Sequence, residues 1–334
     1  MGQFAPLPAL LVAVLALVCA GCGNDRPTAV APAPGTTVIA PGPEAASADV
    51  QAALALEVPI PGVEGLRATA SVPAGAGPFP LVIFSPGLGR SGNAYGFYAD
   101  AWTNRGYACL RLSHPGSDIR IFADKAFWNL RSTGEKVARD PQEWQARVRD
   151  VRATIDALPG LAQRHAGLGR IDAGRIAVVG HSYGAFTALA VAGLRVNLPQ
   201  RPAAELGDPR PLAFIAMAPP GPGDAIGDQA FAAIERPVLV LAGGNDTQED
   251  MRGKEHPPAW RERPWQLMAP GGKWLLTIPD AHHFTFSDGG GRQKRADPAH
   301  LERISATSAD FLDAYLKEDA RAHDRLRAAG ARSR

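Results

Sequence analysis

Short apolar runs alternate with longer stretches of helical spacing along most of this chain. Leu56 to Ile60 and Leu66 to Val72 read as a leading pair of strands, with Pro61-Gly62 in the connection. Pro80 to Phe84 is apolar throughout and predicts a buried strand that opens into Ser85-Pro86-Gly87-Leu88-Gly89. A helix is expected over 95–103, and Gly106 to Leu112 gives the next strand, which ends in Ser113-His114-Pro115-Gly116. Asp140-Pro141-Gln142-Glu143 is a helix start, with a capping Asp and a Pro in the first turn. Trp144, Val148, Val151, Ile155 and Leu158 then recur on one face, as a core-facing stripe does. Further strands are expected at 176–179, 213–217, 237–241 and 273–278. A last helix begins at Asp297-Pro298 and carries Leu301, Ile304, Phe311, Leu312, Tyr315 and Leu316 on one side. Strands and helices alternating in this way predict an α/β fold, with a mostly parallel central sheet and helices on both faces. No internal repeat and no second core is visible, so residues 51–320 read as one domain. Residues 318 to 334 are polar and basic and are expected to fray, which leaves 321–334 as a C-terminal tail.

The first 50 residues follow a different pattern. Residues 1–21 carry no charged side chain, and Ala9 to Ala20 is an unbroken apolar run. That run is too short to span a bilayer and has the length of a signal-peptide core. It ends in Cys19-Ala20-Gly21-Cys22, which resembles a bacterial lipoprotein signal in which Cys22 becomes the lipidated N-terminus. Residues 22–50 are rich in Ala, Pro, Gly and Thr without periodicity and read as a flexible tether. The expectation is an exported protein, held at a membrane through this anchor or else secreted. Beyond the signal only Cys22 and Cys109 remain, so no disulfide within the domain is expected, and Cys109 in its apolar run reads as a buried thiol. A net charge of +2 gives no electrostatic case for a nucleic acid or an anionic membrane as partner.

The chemistry centres on Gly180-His181-Ser182-Tyr183-Gly184, a G-x-S-x-G motif between a short apolar strand and a small-residue helix. That setting turns a serine hydroxyl outward at a sharp elbow, where the glycines let strand and helix approach each other. Serine is a weak nucleophile at neutral pH and needs a base, and the base needs a carboxylate to orient it. Asp246, in Gly243-Gly244-Asn245-Asp246-Thr247 directly after a strand, is the acid candidate. His282 and His283 follow the strand ending at Ile278, and spacing alone does not choose between them. The expected oxyanion donors are the backbone N–H of Tyr183 and that of Leu88, since Pro86 has no N–H. Such a site needs no metal and no cofactor, and its partner is a small-molecule or lipid ester.

Taken together, Phe84 to Gly89, Ser113 to Ser117, Trp144 with Arg149-Asp150-Val151 and Ile155-Asp156, Gly180 to Gly184, Gly243 to Thr247 and His283 to Asp288 look like a known group. The chain resembles α/β-hydrolases of the platelet-activating-factor acetylhydrolase and dienelactone-hydrolase-like group, over roughly residues 50–320. The resemblance implies the α/β-hydrolase fold and a serine carboxylic-ester hydrolase of the esterase or lipase class. It selects His283 over His282, because in the group the histidine is followed two or three residues later by Phe and often by Ser-Asp. It also supports Leu88 as an oxyanion donor. Dienelactone hydrolases proper use a cysteine nucleophile where this chain has Ser182. The group has His-Gly-Leu-Gly where this chain has Pro86-Gly87-Leu88-Gly89, and a Pro-Gly pair there is also seen in cutinase-like polyester hydrolases. Ala185 stands where a second glycine is common after the elbow. The alternatives are therefore a cutinase-like polyester hydrolase and a surface binding protein that keeps the fold without catalysis. The segment 118–143, with Phe122, Phe127 and Trp128, reads either as a pocket wall or lid or as a packed surface loop.

Overall fold

Alternation of apolar side chains along each central strand sends odd and even positions to opposite faces, and here both faces are covered. The computed structural model describes residues 54–247, 255–287 and 296–334. The expected signal peptide, Cys22 and the whole of the tether lie outside the described residues.

The chain runs β1 (Leu54–Pro59), β2 (Arg67–Val72), β3 (Phe79–Ser85), α1 (Gly96–Asn104) and β4 (Ala108–Ser113). It continues with α2 (Leu130–Ala138), α3 (Pro141–Arg164), β5 (Ile171–His181) and α4 (Tyr183–Ala192). A hairpin of β6 (Arg195–Leu198) and β7 (Arg201–Glu205) precedes β8 (Ala213–Met217), β9 (Val238–Gly243), α5 (Arg263–Leu267) and β10 (Lys273–Ile278). The last elements are α6 (Pro298–Leu316), α7 (Ala322–Ala328) and β11 (Arg332–Ser333). One 9-stranded sheet has the order β1-β2-β4-β3-β5-β8-β9-β10-β11. From β4 across to β10 the strands are parallel, and the antiparallel pairings lie toward the two edges. The fold is α/β, as expected.

The two faces carry separate cores. Leu81, Ile83, Ile176, Val178, Phe214 and Val240 point toward α3 and α4, where Val148, Val151, Ile155, Leu158 and Leu189 meet them. Val82, Phe84, Val179, Ile215, Leu239 and Leu241 point the other way, toward Tyr98 and Trp102 of α1 and Phe311 and Leu312 of α6. Cys109 is buried in the second core, and burial pushes its thiol up to about 12, so it is inert, as its run indicated. Helix α1 follows β3 and α4 follows β5, yet the two helices pack on opposite faces. The chain therefore diverges between the neighbouring strands β3 and β5. In an open parallel sheet that divergence leaves a crevice at the carboxyl ends of the strands.

The expected frayed tail is a correction. Residues 322–328 form α7, and β11 adds an antiparallel strand to β10. Its polar sequence conceals a short amphipathic helix that buries Ala322 and Leu326. The basic residues dock it. Arg325 pairs with Asp310 at 2.7 Å and Asp319 at 2.9 Å, and the Arg334 N–H donates to Lys273 O at 3.0 Å. Replacing Leu326 by Ala should lower the free energy of unfolding by about 2–5 kcal/mol. Chemical denaturation checks this, and a frayed tail would show no change.

Candidate active site

The elbow is set by sterics. Ser182 has φ 55° and ψ −115°, a backbone conformation that a non-glycine residue holds only when its surroundings impose it. A Cβ on Gly184 would lie 1.8 Å from Ser85 O, and one on Gly180 would lie 2.1 Å from Gly184 O. Only glycine fits at either position. The Ser182 N–H donates to Met217 O at 2.9 Å, and Ser182 O accepts from Phe186 N–H at 3.1 Å, which ties the elbow to β8 and to α4.

Three expected side chains meet there. His283 Nε2 lies 2.8 Å from Ser182 Oγ, and His283 Nδ1 lies 2.9 Å from Asp246 Oδ2. A carboxylate only accepts, so Nδ1–H donates to Asp246 and Nε2 is left to accept from the serine hydroxyl. Asp246 follows β9 and His283 follows β10. Their loops are stitched together by Gly244 N–H to Ile278 O at 2.8 Å and Asn245 N–H to Ala281 O at 3.0 Å. His282 points away, is exposed and sits 3.1 Å from Asn245 O, so it takes no part. Burial lowers the His283 pKa below its ordinary value, and the Arg261 guanidinium adds to this, against the opposing pull of Asp246. The resting imidazole is therefore neutral and able to accept a proton.

Leu88 lies in the loop after β3 and Tyr183 opens α4, where backbone N–H groups have no intrahelical partner. Both N–H groups thus belong to segments flanking Ser182. The loop carrying Leu88 is held by a network that sequence reasoning missed. Gly87 N–H donates to Tyr95 Oη at 3.3 Å, and Tyr95 Oη lies 2.9 Å from His181 Nδ1. His181 Nε2–H donates to the backbone oxygen of His283 at 3.0 Å. This path joins the Leu88 loop to the backbone of the base.

A second buried cluster lies beneath. His114 Nδ1 is 2.7 Å from Asp150 Oδ2, and His114 Nε2 is 3.0 Å from Ser85 Oγ. It copies the residue types of the first site, but Ser85 is wholly buried and its oxygen also accepts from Arg147 at 2.9 Å. Burial, helped by Arg147, pushes His114 down to about 4. Arg147 also donates to Ser117 Oγ at 2.7 Å, to Thr187 Oγ1 at 2.9 Å and to Pro86 O, and its guanidinium lies 4.5 Å from the Tyr183 ring centroid. Burial pushes it down to about 10, which leaves it protonated at neutral pH. One sequence signal existed, because Arg147 and Asp150 interrupt the apolar stripe of α3 beside Val148 and Val151.

The segment 118–143 contains α2 and two single 3₁₀ turns. It walls the Leu88 loop, since Phe122 lies against Gly89 and a Cβ on Gly134 would meet Leu88 at 3.4 Å. Phe127 and Trp128 project outward, 51% and 80% exposed. A groove of about 350 Å³ lined by Pro222, Asp228, His256, Trp260 and Arg263 contains none of Ser182, Asp246 and His283.

Neither the known family models nor the curated proteins compared with this chain match it. The case for function therefore rests on geometry and chemistry. Replacing Arg147 by Met orphans acceptors on three segments and should cost on the order of 3 kcal/mol of stability, read from thermal or chemical unfolding.

Proposed function

We propose that this chain is a serine carboxylic-ester hydrolase on an α/β-hydrolase fold. The observation that carries the reading is the unbroken path from Asp246 Oδ2 through His283 to Ser182 Oγ, at 2.9 and 2.8 Å, on a serine held at positive φ. The order Ser, Asp, His along the chain, each at the carboxyl end of a parallel strand, is the order that this architecture uses.

Ser182 Oγ attacks the ester carbonyl carbon as its proton passes to His283 Nε2. Asp246 stabilises the imidazolium that forms. The carbonyl electrons move onto oxygen, which the N–H groups of Leu88 and Tyr183 receive. Collapse breaks the bond to the alcohol, which leaves with the proton from Nε2. Water then repeats the sequence on the acyl-enzyme, and the carboxylic acid leaves as the serine regains its proton. Carboxylic esters, from small molecules to lipids, are the substrate class of this reading.

Ser182→Ala should reduce kcat on a short chromogenic ester by at least ~10³-fold and abolish labelling by a fluorophosphonate probe. Retained turnover would reject the reading. A binding protein on this fold would bind no faster to the probe than an ordinary serine does, which separates that alternative. Protonation of His283 blocks the attack, and its pKa lies below the ordinary value, so the acid limb of kcat/KM should fall below about pH 6.5.

A further inference from the structure

The carboxylate of Asp246 has a second partner. Arg261 Nε lies 3.2 Å from Asp246 Oδ2, the oxygen to which His283 Nδ1–H donates at 2.9 Å. Both side chains are almost entirely buried, with 7% of Arg261 and none of Asp246 exposed. The guanidinium is fixed independently. It donates to Pro219 O at 3.1 Å and lies 4.9 Å from the ring centroid of Trp260, whose own Nε1–H donates to Pro222 O at 2.9 Å. The loop after β8 and the 3₁₀ turn Pro258–Glu262 therefore hold a permanent cation behind the acid of the triad.

We infer that Arg261 is a positioning residue of this site that sets the basicity of His283 by competing for Asp246. This rests on the ester-hydrolase reading. A carboxylate facing only the imidazole favours imidazolium strongly. One that also faces a guanidinium has part of its field already neutralised, so it still fixes the tautomer but attracts the proton less. The other titratable groups around His283 do not replace this effect. His181, at the end of β5 with its ring 5.0 Å away, is held uncharged by burial, with His283 itself a smaller cause. Tyr95, just before α1, bonds to His181 Nδ1 at 2.9 Å rather than to the His283 ring. Among the described residues, Ser182 is the remaining polar partner of the His283 ring. Burial lowers the Arg261 pKa too, against the pull of Asp246, but an arginine starts so high that it stays protonated throughout the working range. Its consequence is a base that remains free, and an enzyme that remains active, at lower pH than the Asp246–His283 pair alone would allow.

The test compares the full chain with Arg261→Gln and Arg261→Lys, using circular dichroism to confirm the fold. Two quantities are read: the titration midpoint of the His283 ring by NMR, assigned through His283→Gln, and the pH profile of kcat/KM on a short chromogenic ester. Removing the charge should raise the midpoint and move the acid limb to higher pH. The ratio of kcat/KM at about pH 8 to that at about pH 5 should then grow several-fold. The lysine variant should keep the native limb. A folded glutamine variant with an unmoved midpoint and limb would overturn the inference. If that variant does not fold, a lysine variant whose limb moves up like that of an uncharged residue does the same. A native chain that turns over no ester, yet whose midpoint rises in Arg261→Gln, sinks the hydrolase reading and leaves the charge coupling standing.

Discussion

The closest approach in the molecule that matters most is between the backbone of Gly184 and the carbonyl of Ser85. Nothing larger than a hydrogen fits between them, because a Cβ there would sit 1.8 Å from the oxygen. This contact locks the first turn of α4 onto the end of β3. It fixes the strained backbone of Ser182 and brings the two segments that carry Leu88 and Tyr183 against each other. The position of the serine and of both candidate oxyanion donors therefore follows from a single steric condition. The strain at Ser182 costs on the order of 1–3 kcal/mol, and it persists because β3, β8 and α4 all hold the turn.

Two clusters of Ser, His and Asp, built on neighbouring strand ends, meet different fates, and the contrast shows what the residue types alone leave open. At Ser182 the hydroxyl is only half-buried and its proton has one acceptor, the neutral Nε2 of His283. At Ser85 the hydroxyl is sealed off, and its oxygen is engaged by the cation of Arg147. Burial next to that cation pushes His114 down to about 4, which keeps it neutral at neutral pH. The second cluster instead braces the Leu88 loop, with Arg147 spanning Ser85, Pro86, Ser117 and Thr187.

What could be read in advance follows from the range of the physics involved. Strand and helix periods are local, so the central strands and α1, α3, α4 and α6 were legible, with ends off by a few residues. The largest slip is the start of β5, where Ile171 and Asp172 pair with Phe79 and Pro80 across a register shift that no apolar run announces. The G-x-S-x-G elbow is local too, so Ser182 and Tyr183 could be named outright. Asp246 could be named because it stands at the carboxyl end of its strand, where sites in open α/β sheets form, although turn chemistry alone would also place an Asp there. The choice between His282 and His283 turned on the 3₁₀ turn His283–Phe286, whose direction is set by Thr285 bonding back to the His282 N–H at 2.9 Å. Resemblance supplied that choice where spacing did not. The pairing of β11 with β10 and the role of Arg147 depend on partners dozens of residues away, which no pattern within a window encodes.

Two buried guanidinium groups flank Ser182, His283 and Asp246, and their signs are consistent with one another under the proposed function. An acyl transfer of this kind creates an anion on the substrate oxygen and a cation on the imidazole at once. A positive charge beside the Leu88 and Tyr183 segments, as Arg147 supplies, favours the first. A positive charge behind Asp246, as Arg261 supplies, moderates the second in the resting state and keeps the base free of a premature proton. The two effects oppose each other at the transition state, because the imidazolium must still be tolerated when it forms. The balance can hold because Asp246 Oδ2 lies closer to His283 Nδ1, at 2.9 Å, than to Arg261 Nε, at 3.2 Å. On the proposed reading, a site arranged in this way gives up some driving force for proton transfer in return for a base that stays available in acid.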